Sequence, residues 1–398
     1  MIAPCWPRNA VLPEPPKELL VPLNVPEKIL MAPGPSNASS RVLRATQQQI
    51  LGHLHPEICQ LMDEIKAGIQ YAFQTKNRLT LAISASGHAG MEACLGNILE
   101  PGETVLIARC GLWGERAANM AIRIGAHVEF LDTELGVAFT LDQLETAVNR
   151  HRPTAVFVVH AESSTGMKQR LQGVGDIVHK YGGLLIVDAV ASLGGESFYA
   201  DAWGVDAAYT GSQKVLGAPP GITPVTFSPA AEKKIFQRKT QVPVYYWDMT
   251  ILGDYWACFG KQTRFYHHTI SATLVYGLRE ALAQLAEEGL RNSWARHAAA
   301  AKKLEKSIAA RGLEFFIPKP ENRLRTIISL KVPPGVDWRR VTDRAMKKYK
   351  VEIGGGLGPT VGKIFRIGLM GVNADSDHVD QVLEALDDGL RYARTANL

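Results

Sequence analysis

No two of the five cysteines, at positions 5, 59, 94, 110 and 258, are close enough to form a C-x-x-C pair. An odd, scattered set of this kind argues against a disulfide framework or a cysteine-spaced zinc site, and it fits a reducing compartment. Charge of one sign is scarce as well: 44 Lys and Arg stand against 39 Asp and Glu, a net +5. The basic residues form no stripe interleaved with aromatics, so a nucleic-acid partner has no footprint. Long hydrophobic runs are missing too. A bilayer span needs about 20 apolar residues, and the strongest run here, 184–191, is interrupted by Asp188; no membrane partner is expected. The first sixteen residues hold one Arg and several prolines, which suits neither a signal peptide nor an Arg-rich transit helix.

What is present is an ordinary globular balance, 46% hydrophobic and 21% charged over 398 residues, enough for a large core and a second, smaller domain. Residues 1–28 are proline-rich and disfavour both helix and central strand; they read as an extended arm on a partner surface or a disordered tail. From Leu79 onward short β-branched runs alternate with helical patterns, from "LTLAIS" and "HAGMEACLGNIL" through "LLIVDAV" to "ITPVTFS". That alternation specifies an α/β fold with a mostly parallel central sheet and helices on both faces, over residues 29–288. From 289 to 398 a long Ala/Lys/Arg-rich helix, short strands and a final amphipathic helix predict a smaller C-terminal α+β domain with an antiparallel sheet.

Ligands in such sheets bind beyond the carboxyl ends of the strands, and three of those ends are unusual. "SASGHAG" (84–90) joins a strand to a helix, so its N–H groups and the helix dipole would face an anion such as phosphate. "LLIVDAVASLGG" ends the most apolar strand on Asp188, a carboxylate that is costly to bury unless paired. "YTGSQKVLGAPPG" (209–221) follows the next strand and carries Lys214. A lysine at a strand end more often lays its stem on apolar surface and its ammonium in water. The sharper reading is a desolvated amine ready to form an imine with a carbonyl. An anion turn, a buried aspartate and a lysine one strand on are together what pyridoxal 5'-phosphate requires: a phosphate cradle, a partner for the protonated ring nitrogen and an amine for the aldehyde. Between them, "HAESSTG" brings Glu162, Ser163 and Ser164 to another strand end, where hydroxyls cap a segment or bind a ligand.

On the stretches "GPSN", "SGH", "ESSTG", "VDAVASLGG", "GSQK", "APPG", "YHHT" and "GGLGP…RIGLMG", in that order over nearly the whole chain, the sequence resembles the class V, fold type I aminotransferases. Within them it is most similar to the alanine–glyoxylate (serine–pyruvate) group. The resemblance implies that Lys214 is the imine-forming lysine and Asp188 the ring-nitrogen partner. It places Ser86, Gly87, His88 and Gln213 at the phosphate and Ser163 near the phenolic oxygen. Trp113 would stack on one face of the ring and Val190 press on the other. Arg366 would take the substrate carboxylate, as a planar guanidinium suits, with Ser36 and Asn37 of "GPSN" beside the substrate. Tyr266 and Thr269 would reach the phosphate of a second subunit, which implies a homodimer with shared active sites. Arg109, Cys110 and Ala161 depart from the family's pattern at the pocket rim.

The implied reaction moves the amino group of alanine or serine to glyoxylate by a ping-pong route; a 3-hydroxykynurenine transaminase would share nearly all these motifs. A hydrolase is the rival at "SASGH", although a nucleophile elbow needs glycines where Ser84 and His88 stand. A cysteine desulfurase would need a reactive cysteine in the C-terminal half, where Cys258 has no matching loop. A catalytically silent binding protein is the non-enzyme reading, against which the Lys–Asp–Arg set counts. His267 and His268 lack the spacing of a helical metal pair, so no metal is expected. The glycines at 354–356 and 358 are followed by no helix and read as a mobile loop beside Arg366. The terminal "ANL" resembles a weak peroxisomal signal without its basic middle residue.

Overall fold

The computed structural model describes residues 13–260 and 263–395. Its centre is a seven-stranded sheet: β1 (Leu79–Ile83), β2 (Thr104–Arg109), β3 (His127–Asp132), β4 (Ala155–Val159), β5 (Leu184–Asp188), β6 (Ala207–Tyr209) and β7 (Thr223–Phe227), in the spatial order β1-β7-β6-β5-β4-β2-β3. β7 runs antiparallel to both its neighbours, β1 and β6, and every other pairing is parallel. The inner strands are buried residue after residue, as "LTLAI" and "AVFVV" are, whereas β3 at the edge alternates between half-buried and exposed positions. Those uninterrupted apolar runs follow from helices covering both faces.

The helices are set by local signals. α1 (Pro56–Phe73) starts with proline at its first turn, where a missing N–H costs nothing. α2 (Gly87–Ile98) follows β1 and α3 (Leu112–Ile124) follows β2; α3 ends on Gly125 at φ 88°, a left-handed cap that glycine adopts without strain. The helix Leu141–His151 opens on a reciprocal capping box between Thr140 and Gln143.

A second core lies beyond α4 (Ala272–Glu288). Here α5 (Leu290–Ala310) and α6 (Ser376–Thr395) pack on a three-stranded antiparallel sheet of β8 (Ile327–Lys331), β9 (Gly354–Gly355) and β10 (Ile364–Gly368), ordered β8-β10-β9. Leu304, Ile328, Phe365 and Leu386 centre that core, and Met31 joins it from the N-terminal side. The link is a short parallel pairing of Ile29–Leu30 with Val351–Glu352. The glycine run is therefore not a mobile loop. Gly354 pairs with Arg366 across the sheet, and a Cβ there would lie 2.6 Å from Pro33; at Gly355 it would lie 2.4 Å from the Trp338 ring. The glycines allow close packing. The described part of the arm, 13–28, holds one 3-10 turn (Lys17–Leu20) and buries none of that turn's residues; residues 1–12, Cys5 among them, lie outside the described residues.

Candidate active site

The carboxyl ends of β1, β2, β4, β5 and β6 surround a partly open cavity of about 110 Å³, lined by the phosphate-turn residues, Trp113, Ser163, Asp188, Val190, Gln213 and Lys214. On one side, α2 begins with Ser86 as N-cap, and the Ser86 side chain makes no capping bond. The first N–H groups of a helix have no intrahelical partner, so those of Gly87 and His88 are free for an anion. The turn itself is fixed by Thr223, whose hydroxyl donates to the Ala85 carbonyl at 2.8 Å.

Asp188 closes β5, buried. Its Oδ1 accepts from the Val190 N–H at 2.8 Å and its Oδ2 from the Tyr209 hydroxyl at 2.7 Å. Tyr209 is the register partner of Asp188 on the neighbouring parallel strand. Burial pushes the Asp188 carboxyl up to about 6, against the pull of the Tyr209 and Val190 hydrogen bonds and of Lys214. It forms no ion pair among the described residues, so a charge of opposite sign has a place beside it.

Lys214 approaches from the loop after β6. Its Nζ donates to the Pro33 carbonyl at 2.5 Å, and the Ser36 hydroxyl donates to the Lys214 carbonyl at 2.6 Å. Gly34 (φ +103°) is packed so tightly on the lysine that a Cβ would lie 2.3 Å from Nζ. Burial, reinforced by the Arg366 guanidinium, lowers the Lys214 ammonium to about 8. Roughly a tenth of the amine is thus neutral at pH 7, far more than for an ordinary lysine, and a nucleophilic lysine needs that form.

Trp113, in the first turn of α3, donates through Nε1 to the Ser163 hydroxyl at 2.6 Å, and its ring meets His88 edge-on at 5.6 Å between centroids. Val190 lines the same cavity near Gly87. Arg366, on β10, comes from the three-stranded sheet of the second core. Its Nε donates to the Gly355 carbonyl at 2.7 Å and its Nη1 to the Ser163 carbonyl at 2.9 Å; Nη2 makes no hydrogen bond among the described residues. Burial lowers this guanidinium to about 10, still fully charged at neutral pH.

Five predicted residues are not part of the cavity lining: Arg366 and Ser36, which adjoin it through Ser163 and Lys214, and Asn37, Tyr266 and Thr269. Asn37 is committed elsewhere: its amide nitrogen donates to the Lys28 carbonyl, and its Oδ1 accepts from Leu30 N–H and Asn373 Nδ2. Tyr266 and Thr269 pair their hydroxyls at 3.2 Å on the outside, with Tyr266 exposed. Of the rim departures, Arg109 turns away from the pocket, forking onto Asp132 at 2.7 and 2.9 Å and pairing with Glu115. Cys110 is buried, and Ala161 lines the cavity. Cys258 is buried against the Thr80 carbonyl with its thiol pushed up to about 11 by burial, which removes the basis for a desulfurase nucleophile.

Sequence reasoning gave no role to Tyr209, to the Pro33–Gly34 contact, or to the buried Glu162. The Glu162 carboxylate accepts from Ser164 N–H and hydroxyl and from Trp113 N–H, and burial raises it to about 7. The available signal for Tyr209 was its position: it ends β6 as Asp188 ends β5, so neighbouring parallel strands deliver both to one layer.

The family pattern described as aminotransferase class-V matches residues 29–382. This chain belongs to the class-V aminotransferases. It is 50% identical over 96% of its length, and of the relative's, to alanine–glyoxylate aminotransferase of Drosophila melanogaster. To that of Rattus norvegicus it is 46% identical, over 98% of the chain and 95% of the relative. Among solved structures it is similar to alanine–glyoxylate aminotransferase from Nostoc sp., with TM-score 0.91 and 45% identity over 93% of this chain and 97% of that one. Ureidoglycine–glyoxylate aminotransferase from Bacillus subtilis gives 0.90 at 34% identity, over 93% and 95%. Class-V aminotransferases of this fold use pyridoxal phosphate, and the residues present fit it. The free N–H groups of α2 offer a phosphate cradle. The amide of Gln213, whose Oε1 is buried without a partner, borders the same cavity and can turn its NH₂ toward an anion. Asp188 has no ion-pair partner among the described residues, and Lys214 would supply the amine.

Proposed function

We propose that this transaminase moves the amino group of alanine to glyoxylate, giving pyruvate and glycine, with both substrates using one pocket in turn. The observation that carries the reading is Arg366: one buried guanidinium with no hydrogen bond at Nη2 among the described residues, bonded to the carbonyl of the cavity-lining Ser163 and close enough to Lys214 to lower its ammonium. The printed activities of the fly, rat and Nostoc relatives support alanine and glyoxylate as the pair. When bound, pyridoxal phosphate supplies a carbonyl for the incoming amine and a ring that takes up the electron pair left at the substrate Cα. Arg366 binds the substrate carboxylate by paired hydrogen bonds. Asp188 would hold a negative charge for a protonated ring nitrogen. Lys214 would move the proton at the substrate Cα, and Trp113 and Val190, which line the cavity, would exclude water from it. The test is kinetics on purified enzyme with alanine, serine and 3-hydroxykynurenine against glyoxylate and pyruvate. A preference for 3-hydroxykynurenine would overturn the assignment.

We also propose a homodimer with shared sites. Leu23 is 91% exposed and Leu19 78% on the described arm, and Phe265 and Tyr266 are exposed beside Thr269, an apolar surface that a second copy would cover. Mixing a Lys214→Ala chain with a Tyr266→Phe/Thr269→Ala chain should restore part of the activity; verified heterodimers without recovery would mean self-contained subunits. Delivery to peroxisomes is a further proposal. It rests on residues 396–398, outside the described residues, and a reporter carrying the last dozen residues that stays diffuse would refute it.

A further inference from the structure

The phosphate turn is braced from behind by a chain of polar groups that the catalytic account does not use. His268 Nε2 lies 2.7 Å from the Ser84 hydroxyl, the residue that leads β1 into the turn. His268 Nδ1 lies 2.9 Å from His267 Nδ1, and His267 Nε2 lies 3.4 Å from the Tyr245 carbonyl. Both imidazoles are buried. Aromatic rings wall the chain: Tyr245 stacks on His267 at 5.0 Å and 8°, and Tyr246 and Tyr255 flank His268 at 4.9 and 5.6 Å.

With both imidazoles neutral, each proton in this chain has one consistent place. A carbonyl can only accept, so His267 Nε2 carries hydrogen toward Tyr245. A neutral His267 then has Nδ1 as acceptor, and His268 must carry its hydrogen on Nδ1. His268 Nε2 is left as acceptor, and the Ser84 hydroxyl donates to it. The reverse assignment would aim the lone pair of His267 Nε2 at a carbonyl oxygen and lose a bond. An imidazolium at His267 would turn His268 to its Nε2–H tautomer, with the Ser84 hydroxyl accepting, and so reverse the bond; burial, which lowers His268 to about 4 and His267 below its usual value, favours the neutral pair.

We infer that His268 is a positioning residue for the cofactor's phosphate: as a neutral Nδ1–H imidazole it fixes the Ser84 hydroxyl and through it the turn from Ser84 to Gly87. Thr223 anchors the same turn at the Ala85 carbonyl, so two consecutive residues are held, one from β7 and one from the segment before α4. What they present is the row of free N–H groups at the start of α2. Backbone donors recognise phosphate only while they point to a common centre, and an unbraced Ser84 would let that row splay. This rests on pyridoxal phosphate binding at the turn, but its failure is separable from that of the transaminase reading.

The test is binding to the apoprotein, with pyridoxal phosphate and inorganic phosphate as separate probes. His268→Asn keeps a donor at the Nδ1 position but loses the acceptor for Ser84; His268→Gln places an acceptor near Nε2. Loss of one buried hydrogen bond predicts a Kd about 3–10-fold weaker for both probes in His268→Asn, recovery toward the wild-type value in His268→Gln, and the same loss in Ser84→Ala. The double variant Ser84→Ala/His268→Asn should be no worse than either single change. In the unsubstituted protein, ¹⁵N NMR should show the Nδ1–H tautomer for His268 and Nε2–H for His267. The opposite tautomers, additive losses in the double variant, or weaker pyridoxal phosphate binding with unchanged inorganic phosphate binding would each overturn the inference. Should His268→Asn fail to fold, the tautomers and Ser84→Ala decide it.

Discussion

The site at the ends of the central strands and the outer face of the second core treat charge in opposite ways. Around the second core Arg311 forks onto Asp387 at 2.7–3.1 Å, Arg344 meets Asp388 at 2.7 Å, and Lys303 meets Asp380 at 2.6 Å, all partly solvent-exposed. Each cation has its anion at hand. In the site, Asp188 and Glu162 are fully buried carboxylates held only by hydroxyls and N–H groups, and Lys214 donates to a neutral carbonyl. Burial of unpaired charge costs several kcal/mol, so a fold that keeps it is reserving it for charges that arrive with ligands. Pairing around the second core contributes modestly to stability, and its absence at the site contributes to chemistry.

Breaking the reserved set should have the largest effect. Lys214→Ala removes both the amine that captures the cofactor and the proton carrier, and turnover should fall by more than about 10⁴-fold in single-turnover assays. Near-normal turnover would dissolve the contrast. Next comes Tyr209→Phe, which deletes a hydrogen bond to a carboxylate. A loss of about 1.5–3 kcal/mol is expected in pyridoxal phosphate affinity, some 10–150-fold, measured by titration of the apoprotein.

The sign of the pH dependence separates the regions further. A carboxylate raised on folding stabilises the protein below its unfolded pKa, and that contribution is lost as pH rises through the folded value. Asp188, at about 6, and Glu162, at about 7, are raised, so the apoprotein should lose stability between pH 4 and 7. Glu162→Gln should flatten that decline by about 2–3 kcal/mol in denaturant titrations. An unchanged slope would mean that Glu162 carries a compensated charge. The smallest effect belongs to the second core: Arg311→Gln should cost at most about 1 kcal/mol, with turnover unchanged.

Much of this was legible in the sequence, because a parallel sheet announces itself through apolar runs and delivers its functional residues at strand ends. Lys214, Asp188 and the turn at 84–87 follow from that rule, and motif order supplied Trp113, Gln213 and Arg366. What stayed hidden depends on pairs far apart in the chain. The Pro33 carbonyl meets Lys214 across 181 positions, and Asn37 meets Asn373 across 336. Neither has a periodicity to betray it. Asn37 reads as a polar residue next to the substrate; in the fold its amide ties the N-terminal segment to the loop before α6. The glycines at 354–356 read as a loop because a two-residue strand has no pattern, and their meaning lies in Pro33 and Trp338, which no local window contains.

The central claim is that one pocket, with Arg366 beside the unpaired charges at the ends of the central strands, serves both halves of the reaction. Steady-state kinetics with alanine and glyoxylate varied against each other, in the unsubstituted enzyme and in Arg366→Lys, tests it most directly. The account predicts parallel double-reciprocal lines and, in Arg366→Lys, KM raised for alanine and glyoxylate together, because an ammonium cannot reproduce the paired hydrogen bonds of a guanidinium. Intersecting lines, or a variant impaired toward one substrate alone, would contradict it.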